Sequence, residues 1–303
     1  MNARLWSAGR ILAPAEAMVP LTGDATLRGI SVFEGLMAYR RPGSSSYAVV
    51  SLASHLTRLR QSAALMRLPA ARLTDDVTAG VRALLADETA DQVYLRPTVY
   101  LAHGYCGGEA QTSLFVSARA VESPGGRPFD CVISTLRHVP PSSYPHKAKV
   151  AALYAFYRLS RIEAAEAGAD EAILLTTEGS VAETPGASVF AIKAGIAYTP
   201  PIAAGILPSI TRATAIEILA KQFTTKTVEA NIAPEFLADA DEVFLTGTMD
   251  EIRHVRSIGG QPIGTGAAPL TSRLRDAYLQ ACRKGHPSPP AGTEVFAGGH
   301  RGS

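Results

Sequence analysis

YPHKAKVAALYAFYRLSRIEAAEAGADEAILLTT, residues 144–177, contains a change of pattern that decides the fold class. The spacing predicts a helix over 150–167. Gly168 is a natural residue to end it, because glycine enters the left-handed conformation without steric cost. AILLTT (172–177) then reads as a short buried strand. Ahead of the helix, Lys147 and Lys149 stand two residues apart with almost no opposite charge nearby. A lysine is by default a solvated residue, so this pair needs a reason.

Outward from this stretch, helix and strand continue to interleave. Downstream, strands are expected at SVFAI (188–192) and EVFLTG (242–247), with helices at about 210–222 and about 270–283. Upstream, VFEGLMAY (32–39) and YAVVSL (47–52) flank the Gly/Ser turn RRPGSSS as a hairpin. Ser54 is placed to cap a helix with Leu56, Leu59, Ala63 and Met66 on one stripe. Thr74 is placed to cap another, with Asp75 and Asp76 in its first turn and Val77, Val81, Leu84 and Leu85 facing inward. VYLRPTVYLA (93–102), SLFVSA (113–118) and CVISTL (131–136) add strands. The class is therefore α/β or α+β. VESPGGRPFD contains the linker, because Gly and Pro interrupt both regular structures. The resulting division is a small N-terminal domain over 1–121, a linker over 122–130 and a larger domain over 131–284. The tail, 285–303, lacks periodicity and is expected to be disordered.

Composition narrows the chemistry. The chain has 303 residues, 47% apolar and 18% charged, with a net charge of +2, which describes a globular protein without an electrostatic footprint for nucleic acid. Cys106, Cys131 and Cys282 show no CxxC spacing and read as reduced thiols. The N-terminus lacks the apolar core of a signal peptide, and no run reaches the length of a membrane span, so a cytoplasmic protein is expected. HExxH, Walker and GxSxG motifs are absent from the sequence, and the seven histidines lack metal-ligand spacing, so no metal is expected.

Several segments, in order, resemble the class IV (fold-type IV) pyridoxal-phosphate aminotransferases, and in particular their branched-chain branch. They are GISVFEGLMAY (29–39), HLTRLRQSAALMRLP (55–69), VYLRP (93–97), YPHKAKVAALY (144–154), VAETPGASVF (181–190), LPSITR (207–212) and ADEVFLTGTMDEI (240–252). The resemblance runs from about residue 24 to 280. It implies a small and a larger domain, pyridoxal 5'-phosphate as cofactor, an amino acid and a 2-oxo acid such as 2-oxoglutarate as small-molecule substrates, and a homodimer.

A Schiff base needs an amine that can be delivered neutral, and lysine loses its proton readily when desolvated. In an extended segment Lys147 and Lys149 point to one side, so spacing does not choose between them. The resemblance chooses Lys149. It further implies that Glu183 keeps the cofactor's ring nitrogen protonated and that Tyr154 touches its phenolic oxygen. Arg58, Ser209, Ile210, Thr211 and Thr248 would hold the phosphate, a dianion suited to a helix N-terminus. For the substrate it implies Tyr94 and the Thr248–Met249 backbone at the α-carboxylate, Arg96 at a distal carboxylate, and Phe33 as a pocket wall. Three positions depart from the family pattern: Arg28 replaces a pocket tyrosine, Met37 an arginine and Leu153 an asparagine. A buried arginine requires an acid, so Arg28 points to a more polar or acidic amino acid than leucine. Three alternatives stand beside the transaminase. A lyase of the aminodeoxychorismate type would use the same lysine and glutamate. A D-amino acid aminotransferase would carry an Arg-x-His trap, which LAHGYCGGEA (101–110) does not show. A degenerate binding protein of the same fold would not need Lys149, Glu183, Arg58 and Thr248 together.

Overall fold

In a computed structural model, which describes residues 4–105, 109–123, 125–266, 268–283 and 292–299, the chain divides into two units. One comprises Met1–Ser123, Ala148–Leu153 and Gln280–Ser303; the other comprises Pro124–Lys147 and Tyr154–Leu279. Cys106 and both ends of the 285–303 tail fall outside the described residues.

The first unit contains β1 (Arg4–Ser7), β2 (Arg10–Leu12), α1 (Asp24–Arg28), β3 (Ser31–Phe33), β4 (Leu36–Arg40), β5 (Tyr47–Val49), α2 (Leu52–Leu65), α3 (Leu73–Leu85), β6 (Gln92–His103) and β7 (Gln111–Ala120). The stretch expected as one strand over 32–39 is two, β3 and β4, both paired antiparallel to β6. The interruption lies opposite Pro97, which has no N–H to donate and instead accepts a hydrogen bond from Glu34 N–H. Gly35 completes the interruption: a Cβ there would stand 2.7 Å from the Tyr94 hydroxyl. Both expected caps lie inside their helices. α2 starts after Ser51 and α3 after Arg72, because Leu52 and Leu73 are buried and extend each helix by a turn's edge.

The second unit contains β8 (Phe129–Arg137), α4 (Leu153–Glu166) from Tyr154 on, β9 (Glu171–Leu175), β10 (Ser188–Lys193), β11 (Ile196–Thr199), α5 (Ile210–Phe223), β12 (Thr227–Glu229), α6 (Pro234–Ala238), β13 (Glu242–Gly247), β14 (Glu251–Ile258), β15 (Gln261–Pro262) and α7 (Pro269–Arg283) as far as Leu279, the last turn of α7 counting with the first unit. The strand order is β12-β11-β10-β13-β14-β8-β9, with β15 on β14. β8 and β9 are parallel, and α4 is the crossover that a parallel pair requires. At the centre, the cross-strand partners Phe190 and Phe244 stack at 4.8 Å. Val189, Val243, Leu245 and Val255 build the adjoining core with Leu237 of α6.

Two expectations require correction. α4 begins at Leu153 rather than 150, because the preceding residues pair with β3: Val150 bridges Val32, and Ala151 N–H donates to Ser31 C=O. This returns Ala148–Leu153 to the first unit. The tail, expected to be disordered, carries β16 (Glu294–Phe296), antiparallel to β5, with Phe296 buried. The first sheet then runs β16-β5-β4-β6-β7-β1-β2, with β3 on β6. A strand edge left open has unpaired backbone groups, and β16 satisfies those of β5. No helix of the described residues is long and apolar enough to cross a membrane.

Candidate active site

Residues 146–148 form a turn, so Lys147 and Lys149 do not share the side that an extended chain would give them. Lys147 is exposed and Lys149 half-buried. Lys149 is held through its backbone: its N–H donates to Ser62 Oγ (3.0 Å), and its carbonyl accepts from Phe33 N–H (3.1 Å). Its Nζ stands 5.0 Å from the centre of the Phe33 ring. The Arg96 guanidinium lies 3.6 Å from the same centre. Tyr94 and Arg96 share one face of β6, and Met37 is the cross-strand partner of Tyr94. The first unit thus gathers Lys149, Phe33, Met37, Tyr94 and Arg96 around β3, β4 and β6.

Arg58 lies beneath this group on α2. Its Nε and Nη2 donate to the two oxygens of Glu34 (2.6 and 2.8 Å), and His55 Nδ1 lies 2.7 Å from Glu34 Oε2. Glu34 has no exposed surface. Burial acts to raise its pKa, but Arg58 and then His55 outweigh that and hold the carboxyl well below the usual range. Burial lowers the His55 pKa against the pull of Glu34, so the ring is neutral near pH 7 and donates Nδ1–H. Two nitrogens of Arg58 are therefore committed to Glu34. Glu34, His55 and Ser62 were not singled out from sequence. The available signal was the spacing of His55, Arg58 and Ser62, which puts all three on one face of α2.

Arg28 is the last residue of α1. Its guanidinium donates to Asp24 Oδ1 (2.6 Å), stacks over Tyr105 at 4.4 Å, and has a side chain 39% exposed. The acid that a buried arginine would demand from the substrate is supplied four residues earlier by the chain itself.

In the second unit Glu183 is buried between β9 and β10, with Oε1 3.0 Å from His138 Nε2 and Oε2 accepting from Leu207 N–H (3.2 Å). No lysine or arginine among the described residues pairs with it. His138 Nδ1 is buried without a partner, so the ring is best satisfied as the Nε2–H tautomer donating to Glu183. The Tyr157 hydroxyl is 3.3 Å from His138 Nε2, and Tyr154 packs edge-on against Tyr157 at 5.6 Å. Burial, then the charge of Glu183, pushes the hydroxyls of Tyr157 and Tyr144 well above the usual tyrosine range, so both stay protonated. A buried carboxylate among neutral donors favours a cationic N–H partner, which a pyridinium supplies. His138, Tyr144 and Tyr157 were missed because each gains its place only by packing on Glu183.

Leu207 leads directly into the Pro208–Ser209 connection that opens α5. Ser209 is the N-cap of α5, its Oγ accepting from Arg212 N–H (3.2 Å), and Ile210 and Thr211 open the helix with N–H groups directed out of its end. Thr248 and Met249 follow β13 in a turn packed on the 184–187 loop: a Cβ on Gly247 would stand 2.8 Å from Gly186 C=O. The second unit thus joins Glu183, Ser209–Thr211 and Thr248 through two short connections. These residues fit the ring nitrogen and phosphate of the cofactor.

A family model described as amino-transferase class IV matches residues 31–258. The branched-chain-amino-acid aminotransferase of Pseudomonas aeruginosa is 32% identical over 91% of both chains. Among solved structures, the branched-chain aminotransferase of Thermoproteus uzoniensis with norvaline superposes with a TM-score of 0.85 at 30% identity, covering 92% of this chain and 94% of that one. The pyridoxal-phosphate form of the Thermobaculum terrenum branched-chain amino acid aminotransferase gives 0.84 at 31% identity, covering 92% and 93%.

Proposed function

The chain belongs to the class IV aminotransferases and uses pyridoxal phosphate, and we propose that it transfers the amino group of an apolar L-amino acid of the branched-chain type to 2-oxoglutarate, with Lys149 as the catalytic amine. The observation that carries this reading is the placement of Lys149 Nζ and the Arg96 guanidinium against one aromatic ring, Phe33. One group serves the reacting end of a substrate and the other the distal carboxylate of glutamate. Pyridoxal phosphate, when bound, supplies the electron sink for a carbanion at the substrate Cα.

Lys149 Nζ would hold the cofactor through its carbonyl carbon and, once displaced from it by the substrate amine, would be free to move a proton at the substrate Cα. The Ser62 and Phe33 backbone contacts fix where that amine stands. Glu183 accepts the ring N–H, with His138 and Leu207 orienting its carboxylate. Tyr154 donates to the phenolic oxygen. Arg58, oriented by Glu34, acts at the phosphate with Ser209, Ile210, Thr211 and Thr248. Tyr94 and the Thr248–Met249 backbone receive the α-carboxylate. Phe33 and Met37 form an apolar wall for the side chain. Arg28, paired with Asp24 and partly exposed, brings no unpaired charge to that wall. The norvaline held by the Thermoproteus uzoniensis relative is consistent with such a pocket.

The reading includes a homodimer, supported by the exposed Met18, Leu21 and Leu27 on and just before α1. A cytoplasmic location is consistent with the buried thiol of Cys131, which forms no disulfide.

The test is borohydride trapping of the holoenzyme with Lys149→Ala and Lys147→Ala, followed by turnover with leucine, norvaline, glutamate and D-leucine as donors. Loss of the trapped adduct in Lys149→Ala alone, with leucine and norvaline preferred and D-leucine inactive, is expected. Trapping that follows Lys147 instead overturns the assignment, and a preference for D-leucine overturns the stereochemistry.

A further inference from the structure

A cavity of about 610 Å³ in the first unit is lined by Arg40, Arg41, Asp91, Gln92 and Arg283, with the Pro42–Ser44 turn at its rim. It lies at the far end of β4 from the Phe33–Glu34 group: Arg40 is five steps along the chain from Gly35, roughly 17 Å at about 3.3 Å per strand residue. Three guanidiniums face one carboxylate there, an excess of positive charge in a concave site.

The arginines are braced. Arg40 donates to Gly299 C=O (2.9 Å), to Glu88 C=O and to the Tyr47 hydroxyl, all of them uncharged, and lies 5.6 Å from the Tyr47 ring centre. Arg283 donates to Ser123 Oγ (3.1 Å) and lies 5.1 Å from the Tyr39 ring centre. Tyr39 and Tyr47 are fully buried, so these cations rest on fixed supports. Arg41 is half-buried, and its guanidinium makes no hydrogen bond or ion pair with any described residue. Gln92 is 6% exposed, and its Oε1 is a buried acceptor without a donor. A fork of five N–H donors suits two carboxylate or phosphate oxygens, and the orphan amide oxygen calls for a hydroxyl.

We propose that this cavity is a second ligand site, distinct from the catalytic lysine, for a small organic dianion that carries a hydroxyl group. Arg41 grips the anion, Arg40 and Arg283 supply the surrounding field, and Gln92 accepts the hydroxyl. Both phosphate esters and hydroxy-dicarboxylates have this chemistry.

Calorimetric titration of the holoenzyme with sn-glycerol 3-phosphate, malate and succinate tests it. Saturable binding of glycerol 3-phosphate or malate is expected, and which of them binds tells the ester from the dicarboxylate. Succinate, lacking the hydroxyl, is expected to bind more weakly than malate. Arg41→Gln, at the exposed turn, is expected to weaken binding about tenfold or more while the protein stays folded and active. Arg96→Gln is expected to leave it unchanged. Three results would overturn the proposal: no saturable binding of either hydroxylated dianion, binding insensitive to Arg41→Gln, or binding that follows Arg96→Gln.

Discussion

A carboxylate with no exposed surface, Glu34, holds Arg58 by two nitrogens and His55 by a third contact. Glu34→Gln leaves the Arg58 charge buried and unbalanced, a change expected to lower stability by about 3–5 kcal/mol in urea titration and to weaken cofactor binding. The pH dependence follows from the same pair. The Glu34 carboxyl titrates well below its unfolded value in the folded chain, so its stabilisation is complete above the ordinary carboxylate range and is lost progressively as pH falls below that range towards the folded value. His55 acts in the same direction, because the unfolded ring takes up a proton near 6.5 before the folded ring does. Stability is therefore expected to decline in two stages below pH 7, and His55→Gln removes the upper stage while keeping the lower one. Thermal melts from about pH 2 to about pH 8 check this. In the second unit, Glu183→Gln retains a ring contact but not a charge, and is expected to keep bound cofactor while lowering turnover roughly a hundredfold. Near-normal turnover would remove Glu183 from the mechanism. Lys149, Glu183 and Arg58 could be singled out as candidates because their neighbours in sequence carry the pattern. Glu34, His55 and His138 were not, since each matters through a partner at least 21 residues away.

Helix α3 approaches the first sheet at Gly80, where a Cβ would meet the Trp6 ring and Val116 at 2.8 Å. Alanine improves helix propensity by about 1 kcal/mol, yet overpacking this contact costs about 1–3 kcal/mol, so Gly80→Ala is expected to destabilise in spite of propensity. The added strand β16 offers the opposite kind of test. Phe296→Ala in a disordered tail would change nothing, whereas removal of a buried aromatic side chain costs about 3–5 kcal/mol, and the loss is read from the denaturation midpoint. The periodic helices and the apolar strands lie close to where their patterns put them, because periodicity reports which face is buried. The caps of α2 and α3 moved because burial of Leu52 and Leu73 outweighed the capping preference of Ser54 and Thr74.

At the scale of the molecule, exposed Met18, Leu21 and Leu27 provide an apolar surface around α1 that a second copy is proposed to cover. Leu27→Asp is expected to shift sedimentation from dimer towards monomer, whereas a fully active wild-type monomer would refute the assembly. Composition, alternation of helix and strand, and the order of the motifs from residue 29 to 252 determined the fold class and the cofactor. They could do so because each rests on local patterns that survive without knowledge of distant contacts. Tertiary structure alone decided the break at Glu34–Gly35, the return of residues 148–153 to the first unit and the pairing of the tail with β5. It also decided the commitment of Arg58 to Glu34 and the gathering of Arg40, Arg41 and Arg283 around one cavity. Each of these depends on which backbone edge is left unpaired or which charge is stripped of water, and both are properties of the folded chain that no short window of sequence contains.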